Sequence, residues 1–152
     1  MDFDEIIPWD FTSPHIEKDT DALLSNDDPV SVSRSLNTRK GWLTQALKRV
    51  MGDKAFAEKS SVKGKQTFQR FSESQVNLET RFAMVVNALR RLIQLQPDKE
   101  DEFIKEFEKL QSGYLDARNT IDSLMDQMDP ESVSKVPQIV NNEREPVNRS
   151  QI

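Results

Sequence analysis

Apolar and polar residues alternate along the middle of this chain with the period of a helix. Phe68, Phe71, Gln75, Leu78, Phe82, Val85, Leu89, Leu92 and Gln96 are separated by alternating steps of three and four, and seven of the nine are apolar. That spacing predicts one long amphipathic helix with a heptad seam. After Pro97 the pattern restarts as Phe103, Phe107, Leu110, Tyr114, Ala117, Ile121, Leu124 and Met128. Helices over residues 66–96 and 98–128, joined by so short a connection, fold back on one another as an antiparallel, coiled-coil-like hairpin. Each arm is about 43–45 Å long at about 1.5 Å per residue. In the facing register Leu92 meets Phe103, Leu89 meets Phe107, Val85 meets Leu110, Phe82 meets Tyr114, Leu78 meets Ala117 and Phe71 meets Leu124. Pro97 breaks the first arm, and Asp98 is the expected N-cap of the second, with Glu100, Asp101 and Glu102 favourably placed in its first turn.

Upstream of the hairpin the pattern weakens. Trp42, Leu43, Ala46, Leu47, Val50 and Met51 make one apolar face, so residues 38–51 read as a short helix capped by Asn37 or Thr38 and stopped at Gly52. Residues 53–66 read as a helical turn and a loop. Residues 1–37 are acidic, carry Pro8, Pro14 and Pro29 and show no sustained period, and the stretch 130–152 carries Pro137 and Pro146, so both read as disordered tails. The expected architecture is therefore all-α: one helical domain over 38–129, a long hairpin plus one short N-terminal helix, between two tails.

Composition supports that class. Of the 152 residues 36% are hydrophobic and 31% charged, so a core exists only where the seams concentrate apolar groups. The net charge of −5 hides a segmental pattern. Residues 1–38 hold nine acids against two bases, 39–70 nine bases against two acids, and 97–129 ten acids against four bases. Blocks of opposite sign can attract one another within or between molecules, so the whole-chain charge says little about partners. The absence of cysteine excludes disulfides, thiolate metal sites and a cysteine nucleophile. With an acidic N-terminus and no apolar run of about 18 residues, the chain reads as soluble and intracellular, with the cytoplasm as the expected site.

No catalytic motif is present. The single histidine, His15, stands beside Pro14 and reads as a solvated residue, and the acidic run from Asp98 to Glu102 lacks the spacing and glycine of a calcium loop. No metal ligands, cofactor site or catalytic residues are expected, and the chain reads as a non-enzyme. Two groups of binding candidates remain. Trp9 and Phe11, set among acids, form either a docking motif that orders on a partner or a tail that folds back onto the hairpin; Trp42, Leu43 and Leu47 form an apolar helical surface for a protein partner. Arg39, Lys40, Lys48, Arg49, Lys63 and Lys65 form a basic series that either contacts phosphate or is a solvated face balancing the acidic second arm. The second is favoured, because the series lacks interleaved stacking aromatics. Membrane association through 38–51 ranks last, since its apolar face is needed for the core.

The order of Arg39-Lys40-Gly41-Trp42-Leu43-Thr44, a long helix through Leu78, Leu89 and Leu92, then Asp101-Glu102-Phe103, Glu106-Phe107-Glu108-Lys109-Leu110, Tyr114, Ala117-Arg118 and Ile121 resembles the helical N-terminal Gag region of BEL/Pao-type retrotransposons. The resemblance spans roughly residues 38–125. It implies an assembly-related structural role without catalysis. The chain departs from the family's polyproteins in having no Cys/His knuckle and no protease segment.

The leading expectation is a protein–protein interaction or assembly protein. A two-helix hairpin cannot bury both flanks of its seam, so helix 38–51 covers part and a second copy or partner helix covers the rest, most simply in a twofold homodimer. The alternative is non-specific, salt-dependent nucleic-acid binding through residues 39–70.

Overall fold

The computed structural model describes residues 14–59 and 65–128. They form four helices, α1 (Pro14–Leu24), α2 (Pro29–Lys59), α3 (Lys65–Leu95) and α4 (Glu100–Asp126), with a 3-10 turn at Pro97–Lys99 between the last two. No strand occurs among the described residues, and the fold is all-α as the periodicity required.

The expected hairpin is α3 and α4. Gln75 Nε2 donates to Asp122 Oδ1 at 2.6 Å and Arg118 approaches Glu79 at 3.7 Å. Phe82 stacks on Tyr114 with ring centroids 4.0 Å apart and meets Phe107 at 6.0 Å. Each step along α3 towards the tip is matched by a step back along α4, so the pair is antiparallel and Phe82 faces Tyr114 as the seams predict. The tip differs in detail. α4 begins at Glu100 with Lys99 in the cap position and no side-chain cap, so Asp98 is not the N-cap. Pro97 opens the 3-10 turn instead, and Lys99 N–H bonds to the Gln96 carbonyl at 3.0 Å. The acids at 100–102 still occupy the first turn of α4, where the helix dipole favours them.

The N-terminal half corrects the expected boundaries. Of the stretch 1–37, residues 14–24 and 29–37 are helical, and the short helix 38–51 is the middle of the 31-residue α2, which passes through Gly52 without stopping. The buried positions of α2 explain why: Val32, Leu36, Arg39, Leu43, Ala46, Val50 and Asp53 repeat the alternating steps of four and three. This is a third seam, and two of its seven positions are charged. A search for apolar period breaks off at both. Gly41 and Gly52 face open space, where each weakens the helix by about 1 kcal/mol relative to alanine without ending it. The start of α2 has its own signature in Asn26-Asp27-Asp28-Pro29. Asp28 Oδ1 accepts the Val30 N–H at 3.1 Å, Asn26 Oδ1 accepts the Asp28 N–H at 3.0 Å, and Pro29 takes the first helical position, where its missing N–H costs nothing.

All other helices are placed by α3. Along α2 and α3, Arg39 reaches the Met84 carbonyl, Arg81 the Trp42 carbonyl, Arg49 the Glu73 carboxylate and Arg70 the Asp53 carboxylate, an antiparallel series. α2 and α4, both antiparallel to α3, lie side by side and parallel. Lys40 pairs with Glu106 at 3.2 Å, and Leu47 lies 3.8 Å from where a Cβ on Gly113 would stand. α1 packs chiefly on α3 and runs parallel to it, from Thr20 beside Asn87 to Asn26 beside Arg91. With α2, α4 and α1 each covering a side, all eight residues from Phe82 to Leu89 are buried. A helix apolar on every side is a central helix, and here the run Phe-Ala-Met-Val-Val-Asn-Ala-Leu is interrupted only by Asn87. Leu78, Leu89 and Leu92 each contribute about 1.5–3 kcal/mol by burial.

Candidate interaction surface

The core takes up much of what the sequence offers as binding residues. Leu43 is fully buried and Leu47 partly buried against Gly113, so neither presents a free surface. Trp42 is different: it stays 39% exposed although it belongs to the same helix. Met51, expected on the buried face, is 56% exposed. Trp9 and Phe11 lie outside the described residues.

Arg81 fixes the backbone beneath Trp42. Its guanidinium donates to the Trp42 carbonyl at 2.9 Å and to Gln45 Oε1 at 3.2 Å, tying α2 to α3. Two turns further along α2, Arg49 pairs with Glu73 at 3.3 Å in an exposed contact. Trp42, Gln45 and Arg49 of α2 and Glu73 and Arg81 of α3 therefore lie along the outer side of the α2–α3 pair. Leu24, Val30, Val76 and Leu115 are the other large apolar side chains that remain exposed among the described residues.

The basic series does not survive as a continuous patch. Arg39, expected on a solvated face, is a buried member of the α2 seam: its guanidinium grips the Asp19 carboxylate through two contacts of 2.6 Å and donates to the Met84 carbonyl at 2.9 Å and to Ser35 Oγ at 2.9 Å. Lys40 is taken by Glu106 and Arg49 by Glu73. Lys48 remains outward, with Lys54 and Lys59 beyond it on α2. Lys65 opens α3, and Lys63 lies outside the described residues.

Two buried polar sites belong to the frame. The Asp53 carboxylate is fully buried; one oxygen accepts from Arg70 Nε at 2.6 Å, the other has no partner, and the Arg70 guanidinium lies 4.4 Å from the centre of the Phe56 ring. The Tyr114 hydroxyl is buried with no well-formed hydrogen bond, the Arg118 guanidinium being a polar neighbour that acts on it. Burial, and secondarily the Glu79 carboxylate, pushes its pKa up to about 12, with the nearby Arg118 guanidinium acting in the opposite sense. Its ring is the stacking partner of Phe82, which makes it a core group of the hairpin.

Asp19, Asn87 and Arg91 were missed by the sequence reading. Asn87 had a usable signal, as a lone amide in an apolar run marks a buried hydrogen bond. Asp19 had none, because one acid among many in an acidic stretch points to no partner.

Among the described residues no group of His, Cys, Asp or Glu is arranged to hold a metal ion, and no helix is long and apolar enough to cross a membrane. The chain matches no family model, no curated protein and no solved structure.

Proposed function

We propose that the protein is a non-catalytic interaction or assembly protein that works through the outer surface of its helical bundle. This is the kind of structural, assembly-related role that the Gag resemblance implies. The expectation of self-association first rested on an unfinished core. That ground is gone, because α1 and the full length of α2 close the core around α3 within one chain.

The observation that carries the reading now is Trp42. Tryptophan and arginine dominate the energetics of protein interfaces, and Trp42 is a large aromatic 39% exposed on a helix whose backbone Arg81 ties to α3, so its Cα position costs nothing to order when a partner covers it. A second copy is the simplest such partner, in a twofold dimer. Light scattering between low and high micromolar concentration tests this: the mass should rise with concentration in the wild type and remain monomeric in Trp42→Ser. A wild-type chain that is strictly monomeric at high micromolar concentration ends the self-association reading.

The alternative, phosphate binding by the basic block, is supported only by the outward Lys48, Lys54 and Lys59. It requires a mobility shift of RNA or DNA at low salt that fades steeply as salt is added.

A further inference from the structure

We propose that α1 is a displaceable latch, and that the face of α3 beneath it is a docking site for an acidic amphipathic helix supplied in trans. This latch rests on the protein-binding reading above but not on Trp42.

α1 is fastened unlike the other helices. Leu23 is its one buried side chain among the described positions, and Leu24 beside it is 50% exposed. What holds α1 is polar: the two-contact Arg39–Asp19 pair at 2.6 Å and the Asn87 amide donating to Thr20 Oγ1 at 3.0 Å, while Arg91 fastens the connection after it by donating to the Asn26 carbonyl at 3.0 Å and pairing with Asp27 at 2.8 Å. The joint is also incompletely filled, with a cavity of about 20 Å³ between Thr20 and Leu23 on one side and Asn87, Arg90 and Arg91 on the other. At 11 residues, α1 is too short to be a stable helix by itself, so leaving α3 also melts it.

The surface beneath is preformed. Asn87 and Ala83 sit on a helix that α2 and α4 hold from their own sides, and the Arg39 guanidinium is oriented by Ser35 Oγ and the Met84 carbonyl, neither of which belongs to α1. Losing α1 therefore leaves in place an aligned cation, an amide and a shallow apolar seat, and any helix that covers the cation again must bring an anion to it. The occupant that fits repeats the chemistry of α1: a carboxylate at the Asp19 position, a hydroxyl or other acceptor at the next residue, and leucine three residues after that. Such a helix competes with α1 for the same three contacts, so α1 acts as an internal competitor and its release sets the apparent affinity.

Native-state hydrogen exchange of the wild-type chain is the first test. Amides of α1 should exchange at least about 100-fold faster than those of Phe82–Leu89, the signature of a local opening; equal protection in the two overturns the latch. The second test uses a fluorescent peptide of residues 14–28 as the probe. Full-length Asp19→Arg, whose α1 is repelled by Arg39, should bind the peptide in the micromolar range, the wild type should bind at least about tenfold more weakly, and Asp19→Arg with Arg39→Asp should close α1 again and bind none. Equal binding by all three, or by none, overturns the docking site. Collapse of the helical circular dichroism of Asp19→Arg overturns the latch, since α1 would then be integral to the fold. Loss of self-association with peptide binding intact would remove the Trp42 surface alone.

Discussion

The two halves of the bundle solve one packing problem with different chemistry. The α3–α4 half is centred on the stacked rings of Phe82, Tyr114 and Phe107, with its polar contacts, Gln75–Asp122 and Arg118–Glu79, towards the open end of the hairpin. The α1–α2 half is joined to α3 at Arg39, Asp53, Thr20 and Asn26, through ion pairs and amides set among Leu36, Leu43 and Val50. Apolar contacts tolerate small shifts and need no exact partner. Charged contacts this close to the interior are stable only when the partner is present, so the N-terminal half is held by specific pairs and not by burial alone.

Four measurements sharpen or break that contrast. The largest effect is expected in the apolar half, where Phe82→Ala should cost about 3–5 kcal/mol in denaturant unfolding, while Glu108→Ala on the exposed side of α4 should cost no more than about 0.5 kcal/mol. Comparable losses for the two would mean that the stacked rings do not organise the hairpin.

Next comes the polar half. Arg39→Met strands the Asp19 carboxylate and should cost about 2–4 kcal/mol, somewhat below the range for a fully enclosed pair because each side chain is 9% exposed. Asp19→Leu added to Arg39→Met should recover most of that loss. No recovery in the double variant would show that Arg39 acts by filling space and not by pairing.

The third concerns pH. Tyr114 is the only tyrosine, and its folded pKa of about 12 exceeds the ordinary phenol value of 10.0. A raised phenol favours folding while it is protonated, so this stabilisation is complete below pH 10 and is lost as pH climbs through 12. The loss is on the order of 2–3 kcal/mol. Absorbance at 295 nm should titrate late in the folded chain, and Tyr114→Phe should flatten the alkaline fall in melting temperature. An ordinary titration near pH 10 in the folded state would place the hydroxyl in water.

The smallest effect is a gain. Gly52→Ala meets open space on a continuous helix and should raise stability by about 0.5–1 kcal/mol, seen as a melting temperature a few degrees higher. A loss would mean that α2 bends or ends at Gly52.

The same chemical contrast decides what could be read from the chain. Both arms of the hairpin, their direction and the facing of Phe82 and Tyr114 were legible because seam positions there are apolar almost without exception. α2 appeared only as its middle stretch, 38–51, because Arg39 and Asp53 occupy seam positions, and a residue's partner twenty or seventeen positions away leaves no local trace. α1 was invisible for a related reason: one buried leucine makes no period. Trp42 and Arg39 were both named as candidates, but the period could not say which of them faces outward.

The central place of α3 also sets a timetable. A nascent chain completes α1 and α2 before any of the helix they lean on has been made, so Arg39 and Asp53 enter the world next to water and without Met84 or Arg70. At about 5–20 residues per second the interval from Leu24 to Leu95 lasts on the order of 4–14 s. Early in synthesis the charged seam is an advantage, for a half-finished α2 with polar groups in its stripe is a poorer nucleus for aggregation than a fully greasy one. The bundle can wait for its centre.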